Sequence, residues 1–242
     1  TVIIGVNAGF YSNGVGNTFI GFESGHYNTG NYNTFLGSLT GRGISGSNGG
    51  SNVCLGNSSG TSLTTGESNI FIGRNSGYTN TSGSWNTFLG RSSGDANITG
   101  YKNVYVGYES GHKTTSGFSN TFIGATAGYS NTTGDYNTFL GQLSGYSNTT
   151  SDNIVCVGYR SGFNNTSEGN VFMGTKSGEN NTTQLGNTYI GFRSGNYSTG
   201  QSNVYIGYET SLGNDGSNSG FYNTFIGYRS GYSLNSASYS VY

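Results

Sequence analysis

Hydrophobic and polar residues follow one short motif that recurs along the whole chain. The motif reads Asn, a Thr or β-branched aliphatic residue, an aromatic residue, an aliphatic residue and Gly. Its closing glycine recurs every 16 or 17 residues, with two longer spacings of 19 and 20 residues. The fourteen closing glycines are Gly5, Gly21, Gly37, Gly56, Gly73, Gly90, Gly107, Gly124, Gly141, Gly158, Gly174, Gly191, Gly207 and Gly227. A helical hairpin or a propeller blade needs about 33 residues or more, so this period suits one coil of a solenoid. We therefore predict an all-β fold, a parallel β-solenoid (β-roll) of about fourteen coils of 16–20 residues.

Composition agrees with a repetitive chain that has no thick globular core. Of 242 residues only 31% are apolar, 45 are Gly and none is Pro. Aromatic residues make up 14% of the chain and recur in register, whereas disordered chains are poor in them. The repetition shows no shift in composition, which predicts a single β-solenoid domain over residues 1–242.

Each predicted strand is apolar on both faces. The residue immediately before the closing glycine is always aliphatic, and we call this set the aliphatic row. The residue three before the glycine is Thr, Val or Ile and shares that face, because side chains alternate along a strand; we call this set the Thr/Val row. We expect these two rows to line the interior.

The residue two before the closing glycine is aromatic in eleven of the fourteen coils, and we call this set the aromatic row. Its members are Phe19, Phe35, Phe71, Phe88, Tyr105, Phe122, Phe139, Phe172, Tyr189, Tyr205 and Phe225. A strand that is apolar on both faces is covered on both faces. With the opposite face assigned to the interior, we expect the aromatic row to be the surface through which the chain associates with other copies.

An Asn precedes most strands, four residues before the closing glycine. The predicted structural ladder consists of Asn17, Asn33, Asn52, Asn69, Asn86, Asn103, Asn120, Asn137, Asn170, Asn187, Asn203 and Asn223. Stacked amides at a turn can hydrogen-bond from coil to coil. We therefore predict a structural role for them rather than ligand binding.

Catalytic chemistry has little support in the spacing of reactive residues. Cys54 and Cys156 both occupy the aromatic-row position, six coils apart, so we predict unpaired thiols that replace Phe as small apolar residues. His26 and His112 are five coils apart and cannot share a metal. We predict no catalytic, metal or cofactor site and no enzyme activity.

Arg193 and Arg229 flank Glu209 on neighbouring coils, which predicts ion pairs.

Ten acceptor sequences of the form Asn-x-Ser/Thr permit N-glycosylation. They begin at Asn57, Asn80, Asn97, Asn131, Asn148, Asn164, Asn165, Asn180, Asn181 and Asn196. All lie in the segments between strands, where we expect a glycan could project. In a chain this rich in Asn, Ser and Thr, nearly as many would arise by chance.

Charge and hydropathy restrict the partners. The net charge is −1 with 8% charged residues, which predicts no nucleic-acid footprint. No apolar run approaches the roughly 18 residues of a membrane span. The chain opens inside a repeat at Thr1 without Met, so we expect a processed or partial chain, in which a missing signal segment does not argue against secretion.

The segment Asn120-Thr-Phe-Ile-Gly124 through Asn137-Thr-Phe-Leu-Gly141 resembles the repeats of trimeric autotransporter adhesin heads and of related bacterial surface and phage tail-fibre proteins. The resemblance covers essentially the whole chain, although those heads have a shorter repeat and a small residue at the aromatic-row position. It implies a non-enzymatic, extracellular or cell-surface adhesive rod that self-associates as a lateral trimer. An end-to-end filament is the other expected mode, because the chain opens in mid-repeat and an uncapped solenoid end exposes unpaired strand edges.

Two other functions stay open at this stage. Tyr108, Tyr159, Tyr208 and Tyr228 follow the closing glycine and could stack on sugar rings, which would suit a module that binds glycans or a host surface. Ice binding needs a regular Thr array, and the Thr/Val row stands only one Thr wide.

Overall fold

The computed structural model describes residues 1–212, 219–232, 236 and 238–242. They fall into two compact units, Thr1–Asn120 and Thr121–Tyr242. The single domain over residues 1–242 stays a prediction. The described residues form strands, turns and bends, with no helix among them.

The first unit contains seven three-residue strands. They are β1 (Val2–Ile4), β2 (Thr18–Ile20), β3 (Thr34–Leu36), β4 (Val53–Leu55), β5 (Ile70–Ile72), β6 (Thr87–Leu89) and β7 (Val104–Val106). From β1 to β7, neighbouring strands of this unit pair in parallel and in chain order, so that each strand residue lies beside its equivalent in the next repeat.

The second unit repeats the same arrangement. Its strands are β8 (Thr121–Ile123), β9 (Thr138–Leu140), β10 (Val155–Val157), β11 (Val171–Met173), β12 (Thr188–Ile190), β13 (Val204–Ile206) and β14 (Thr224–Ile226). They are parallel and in register as well. The predicted fold class, an all-β parallel β-solenoid with about fourteen strand-bearing coils, is confirmed.

The closing glycine is required by the backbone itself. At Gly21 φ is +133°, a conformation that L side chains rarely adopt. A Cβ there would overlap the backbone carbonyl of Gly37, the equivalent glycine one coil later. The motif therefore ends in Gly because successive coils stack backbone to backbone at this corner.

The structure reverses the predicted faces of the strands. The aromatic row is completely buried, and the aliphatic row is exposed or half-buried. The aromatic side chains assigned to an association surface are therefore interior residues, which corrects that prediction for Phe19, Phe35, Phe71, Phe88, Tyr105, Phe122, Phe139, Phe172, Tyr189, Tyr205 and Phe225. The interior assignment of the aliphatic and Thr/Val rows is wrong for the same reason.

The opposite wall of each coil explains the reversal. A strand of three residues points only its middle side chain inward. Facing it is a small residue followed by Gly: a Cβ on Gly25 would come within 2.7 Å of the Phe19 ring. The Ser24 hydroxyl donates a hydrogen bond to the carbonyl oxygen of Phe35 at 3.1 Å. The interior therefore accepts one large flat side chain per coil and has no room for two aliphatic rows.

The buried rings stack from coil to coil. In the first unit the ring centroids of Phe71 and Phe88 are 5.0 Å apart, and those of Phe88 and Tyr105 are 4.8 Å apart with an interplanar angle of 3°. In the second unit Phe122 and Phe139 stack at 4.7 Å. Such offset pairs contribute about 0.5–1.5 kcal/mol each beyond their buried area, so the aromatic row is the core of each unit.

Candidate functional site

The outward side of the strands forms one surface in each unit, which we call the outer sheet face. It consists of the Thr/Val row and the aliphatic row, which contain no charged residue. Leu89 and Ile123 are 43% and 41% exposed, although they belong to the most hydrophobic row of the motif. Contiguous exposed apolar surface of this kind marks interaction sites.

Exposed aromatic side chains border this face at the position after the closing glycine. Tyr108, Tyr159, Tyr208 and Tyr228 are all exposed, as the glycan-binding alternative requires. However, Phe192, Tyr208 and Tyr228 stack on one another, with centroids 5.2 and 5.5 Å apart. Each ring face in the middle of that stack is covered by its neighbour, so the arrangement leaves mainly ring edges for a ligand.

The twelve Asn of the structural ladder are all buried. In the first unit the amide oxygen of Asn86 accepts a hydrogen bond from the backbone N–H of Asn103 at 3.0 Å, and that of Asn103 accepts one from Asn120 at 2.9 Å. The Asn103 side-chain nitrogen donates to the carbonyl oxygen of Gly117 at 2.8 Å. In the second unit Asn187, Asn203 and Asn223 repeat the pattern. These side chains satisfy buried backbone groups and offer nothing to an external ligand.

A second row of buried amides escaped the sequence analysis. It lies seven residues after the closing glycine, where Asn97 donates to the Asn80 side chain at 2.5 Å and Asn148 donates to Asn131 at 2.9 Å. Recurrence of Asn at this fixed offset was the available signal. Because Ser or Thr follows two residues later, the same Asn residues also match the acceptor sequence for N-glycosylation.

The expectation that glycans project from these positions is therefore wrong for most of them. Seven acceptors are buried: Asn80, Asn97, Asn131, Asn148, Asn165, Asn181 and Asn196. Asn57 is exposed, whereas Asn164 and Asn180 are half-buried. Asn164 donates to Asn180 at 3.0 Å and Asn180 donates to Asn196 at 2.8 Å, so these two half-buried amides and the buried Asn196 form a third amide row in the second unit.

Both cysteines are free and completely buried. Burial raises the pKa of each thiol far above its usual value. Leu63 occupies the position at which other coils carry an amide of the second row. Its side chain lies near Cys54, because a Cβ on Gly60 would lie 2.8 Å from the Cys54 sulfur and 3.0 Å from Leu63 Cδ1. Ile154, two residues before Cys156, is buried at a ladder position. Each short thiol thus occurs with a branched aliphatic residue where other coils carry Asn.

Charged residues pair along the turn that follows the closing glycine. Glu209 contacts Arg193 at 3.7 Å and Arg229 at 2.7 Å, which confirms the predicted cross-coil pairs.

The two histidines lie apart from these pairs. His112 lies 3.8 Å from Asp95. Partial burial raises the pKa of the Asp95 carboxyl, and the nearby His112 acts in the opposite direction and lowers it. His26 is buried against the carbonyl oxygen of Asn7.

Within the described part of the chain, no three His, Cys, Asp or Glu side chains come together as a metal-binding group would. The same residues contain no helix that is long and apolar enough to cross a membrane. Comparison with protein-family models, curated proteins and solved structures found no match to this chain.

Proposed function

We propose that this chain is a non-enzymatic structural and adhesive module of an extracellular fibre, and that its copies associate through the outer sheet face. The observation that carries the proposal is the reversal of the strand faces: the uncharged aliphatic row lies on the surface, while aromatic rings fill the interior. The extracellular setting rests on the resemblance to surface-fibre repeats. The filled interior and the two buried thiols favour a structural role.

The two apolar rows of the outer sheet face are unfavourable in water as long as they stay exposed. Covering apolar surface is worth about 25 cal/mol per Å². Interfaces between stable partners bury about 800 Å² on each side, which isolated surface leucines do not supply, so association through this side of the strands requires both rows to be covered together. No charge in either row has to be desolvated when two such faces meet. Lateral association, as in a trimer, is therefore the mode that the outer sheet face favours over end-to-end stacking.

A charge placed on the outer sheet face tests the proposal. Leu89→Asp keeps the interior intact, so we expect a folded chain that sediments as the 25.3 kDa monomer, while the unmodified chain sediments as an oligomer. Thr99→Asp is the matched control, because Thr99 is exposed in the turn after the same strand and lies outside the two rows. Sedimentation velocity with circular dichroism on all three chains decides: a monomeric unmodified chain, or an oligomer that survives Leu89→Asp, contradicts the proposal.

The Thr/Val row supports ice binding as a second candidate. Seven of its fourteen members are Thr, all of them half-buried, and strand register places Thr18 beside Thr34 in the first unit and Thr121 beside Thr138 in the second. Thermal hysteresis of the unmodified chain, compared with a Thr18→Tyr and Thr34→Tyr double variant, would separate this function from association. Hysteresis that the double variant loses would favour ice binding, and its absence would leave the fibre proposal.

A further inference from the structure

Several tyrosines on the surface lie ring over ring in adjacent coils. Tyr11 and Tyr27 stack with centroids 5.2 Å apart and an interplanar angle of 3°, and Tyr222 and Tyr239 stack at 5.2 Å and 23°. Tyr11 is 57% exposed and Tyr27 half-buried, while Tyr222 and Tyr239 are 52% and 80% exposed. Neither pair belongs to the outer sheet face.

The backbone holds these pairs in register. Tyr11 N–H donates to the carbonyl oxygen of His26 at 2.9 Å, and Tyr239 N–H donates to that of Phe221 at 3.0 Å. Equivalent residues of successive coils therefore keep their rings side by side without any further restraint. Two reactive groups held together in this way react at an effective concentration far above that of separate molecules.

We propose that the pairs Tyr11–Tyr27 and Tyr222–Tyr239 are sites of oxidative cross-linking, at which a peroxidase-type oxidant using hydrogen peroxide joins two adjacent coils through dityrosine. Each phenol gives up one electron and one proton and becomes a phenoxyl radical. The two radicals form one carbon–carbon bond between the positions ortho to the oxygens. The hydrogens on those two carbons then move to the oxygens and restore both phenols. The peptide loses two hydrogen atoms, and one hydrogen peroxide is reduced to two waters.

The interior of the second unit supplies an internal control. Tyr189 and Tyr205 stack at 4.8 Å and 7°, closer than either surface pair, yet both are completely buried. The Tyr189 hydroxyl lies 3.1 Å from that of Ser198. Burial also raises the pKa of Tyr189, which hinders loss of its proton. If ring distance alone governed coupling this pair would react first, whereas if oxidant access and side-chain freedom are needed it stays unmodified.

The test treats the folded, unmodified chain with a haem peroxidase and hydrogen peroxide, and then denatures and digests it. Cleavage after Glu23 separates Tyr11 from Tyr27, and cleavage after Arg229 separates Tyr222 from Tyr239. Cleavage after Arg193 separates the buried control pair. We expect dityrosine fluorescence, and joined peptides that have lost two hydrogens for Tyr11–Tyr27 and for Tyr222–Tyr239, with no joined peptide for Tyr189–Tyr205.

Two single variants assign the first link. Tyr27 and Tyr32 lie in the same peptide after cleavage at Glu23 and Glu67. Tyr27→Phe keeps the ring but cannot form a phenoxyl radical, so we expect it to abolish the joined peptide, while Tyr32→Phe leaves it unchanged. Links only between chains, equal reaction of the buried pair, or a joined peptide that survives Tyr27→Phe would each overturn the proposal. The outcome does not depend on whether the chain forms a fibre.

Discussion

The inner and outer sides of each strand are both apolar, yet the protein treats them differently. Phe88 is completely buried, and a Cβ on Gly94 across the coil would overlap its ring. Leu89, the next residue, is largely exposed. Both are hydrophobic, so hydrophobicity does not choose between them. The small residues of the opposite wall select the interior side, because they leave space for one planar ring in each coil that carries an aromatic residue.

The largest expected effect comes from removing a buried ring of the aromatic row. Phe88→Ala removes a ring stacked on Phe71 and Tyr105, and we expect the free energy of unfolding to fall by about 3–5 kcal/mol. Leu89→Ala is the neighbouring control and should cost about 1 kcal/mol or less. Urea unfolding followed by circular dichroism measures both. Equal losses, or a greater loss for Leu89→Ala, would mean that the faces are assigned wrongly.

A smaller effect concerns the polar part of the interior. Asn103→Ala leaves the backbone N–H of Asn120 and the carbonyl oxygen of Gly117 without their side-chain partner, and each buried unsatisfied group costs about 1–3 kcal/mol. With two such groups we expect a loss of at least about 2 kcal/mol in unfolding free energy, against at least about 3 kcal/mol for Phe88→Ala. Asn57→Ala alters an exposed Asn and should stay within about 0.5 kcal/mol. A ladder variant as mild as this control would show that the amides are dispensable.

The smallest effect concerns the interior space that Cys54 shares with Leu63. Cys54→Phe restores the aromatic row but meets Leu63 across Gly60, so we expect overpacking to cost about 1–3 kcal/mol. Leu63→Asn alone exchanges a buried leucine for an amide and should also destabilise. In the double variant both positions match the common motif, and the combined loss should be smaller than the sum of the two. Additive losses from this double-mutant cycle would indicate that Cys54 and Leu63 do not share one space.

The period, the parallel register and the amide ladder could all be predicted from the sequence. Repetition every 16 or 17 residues leaves one structural unit per repeat, and in-register stacking places equal residues side by side. The cross-coil contacts of Glu209 with Arg193 and Arg229 followed from the same arithmetic. These features depend on spacing alone, and the sequence records spacing directly.

Which face is inside, and which Asn are accessible, was decided only by the tertiary structure. Alternation shows that Phe88 and Leu89 point to opposite sides of the strand. Both sides are apolar, so the pattern does not show which of them is the interior side. The deciding contact is between Phe88 and Gly94, and it exists only once the chain has turned back on itself. Likewise Asn97 reads as a surface acceptor until the coil closes and buries its side chain, which donates hydrogen bonds to Asn80 of the preceding coil and to the carbonyl oxygen of Gly100. Spacing along a chain determines which residues become neighbours in a stack, whereas the space inside a coil is a property of its closed walls.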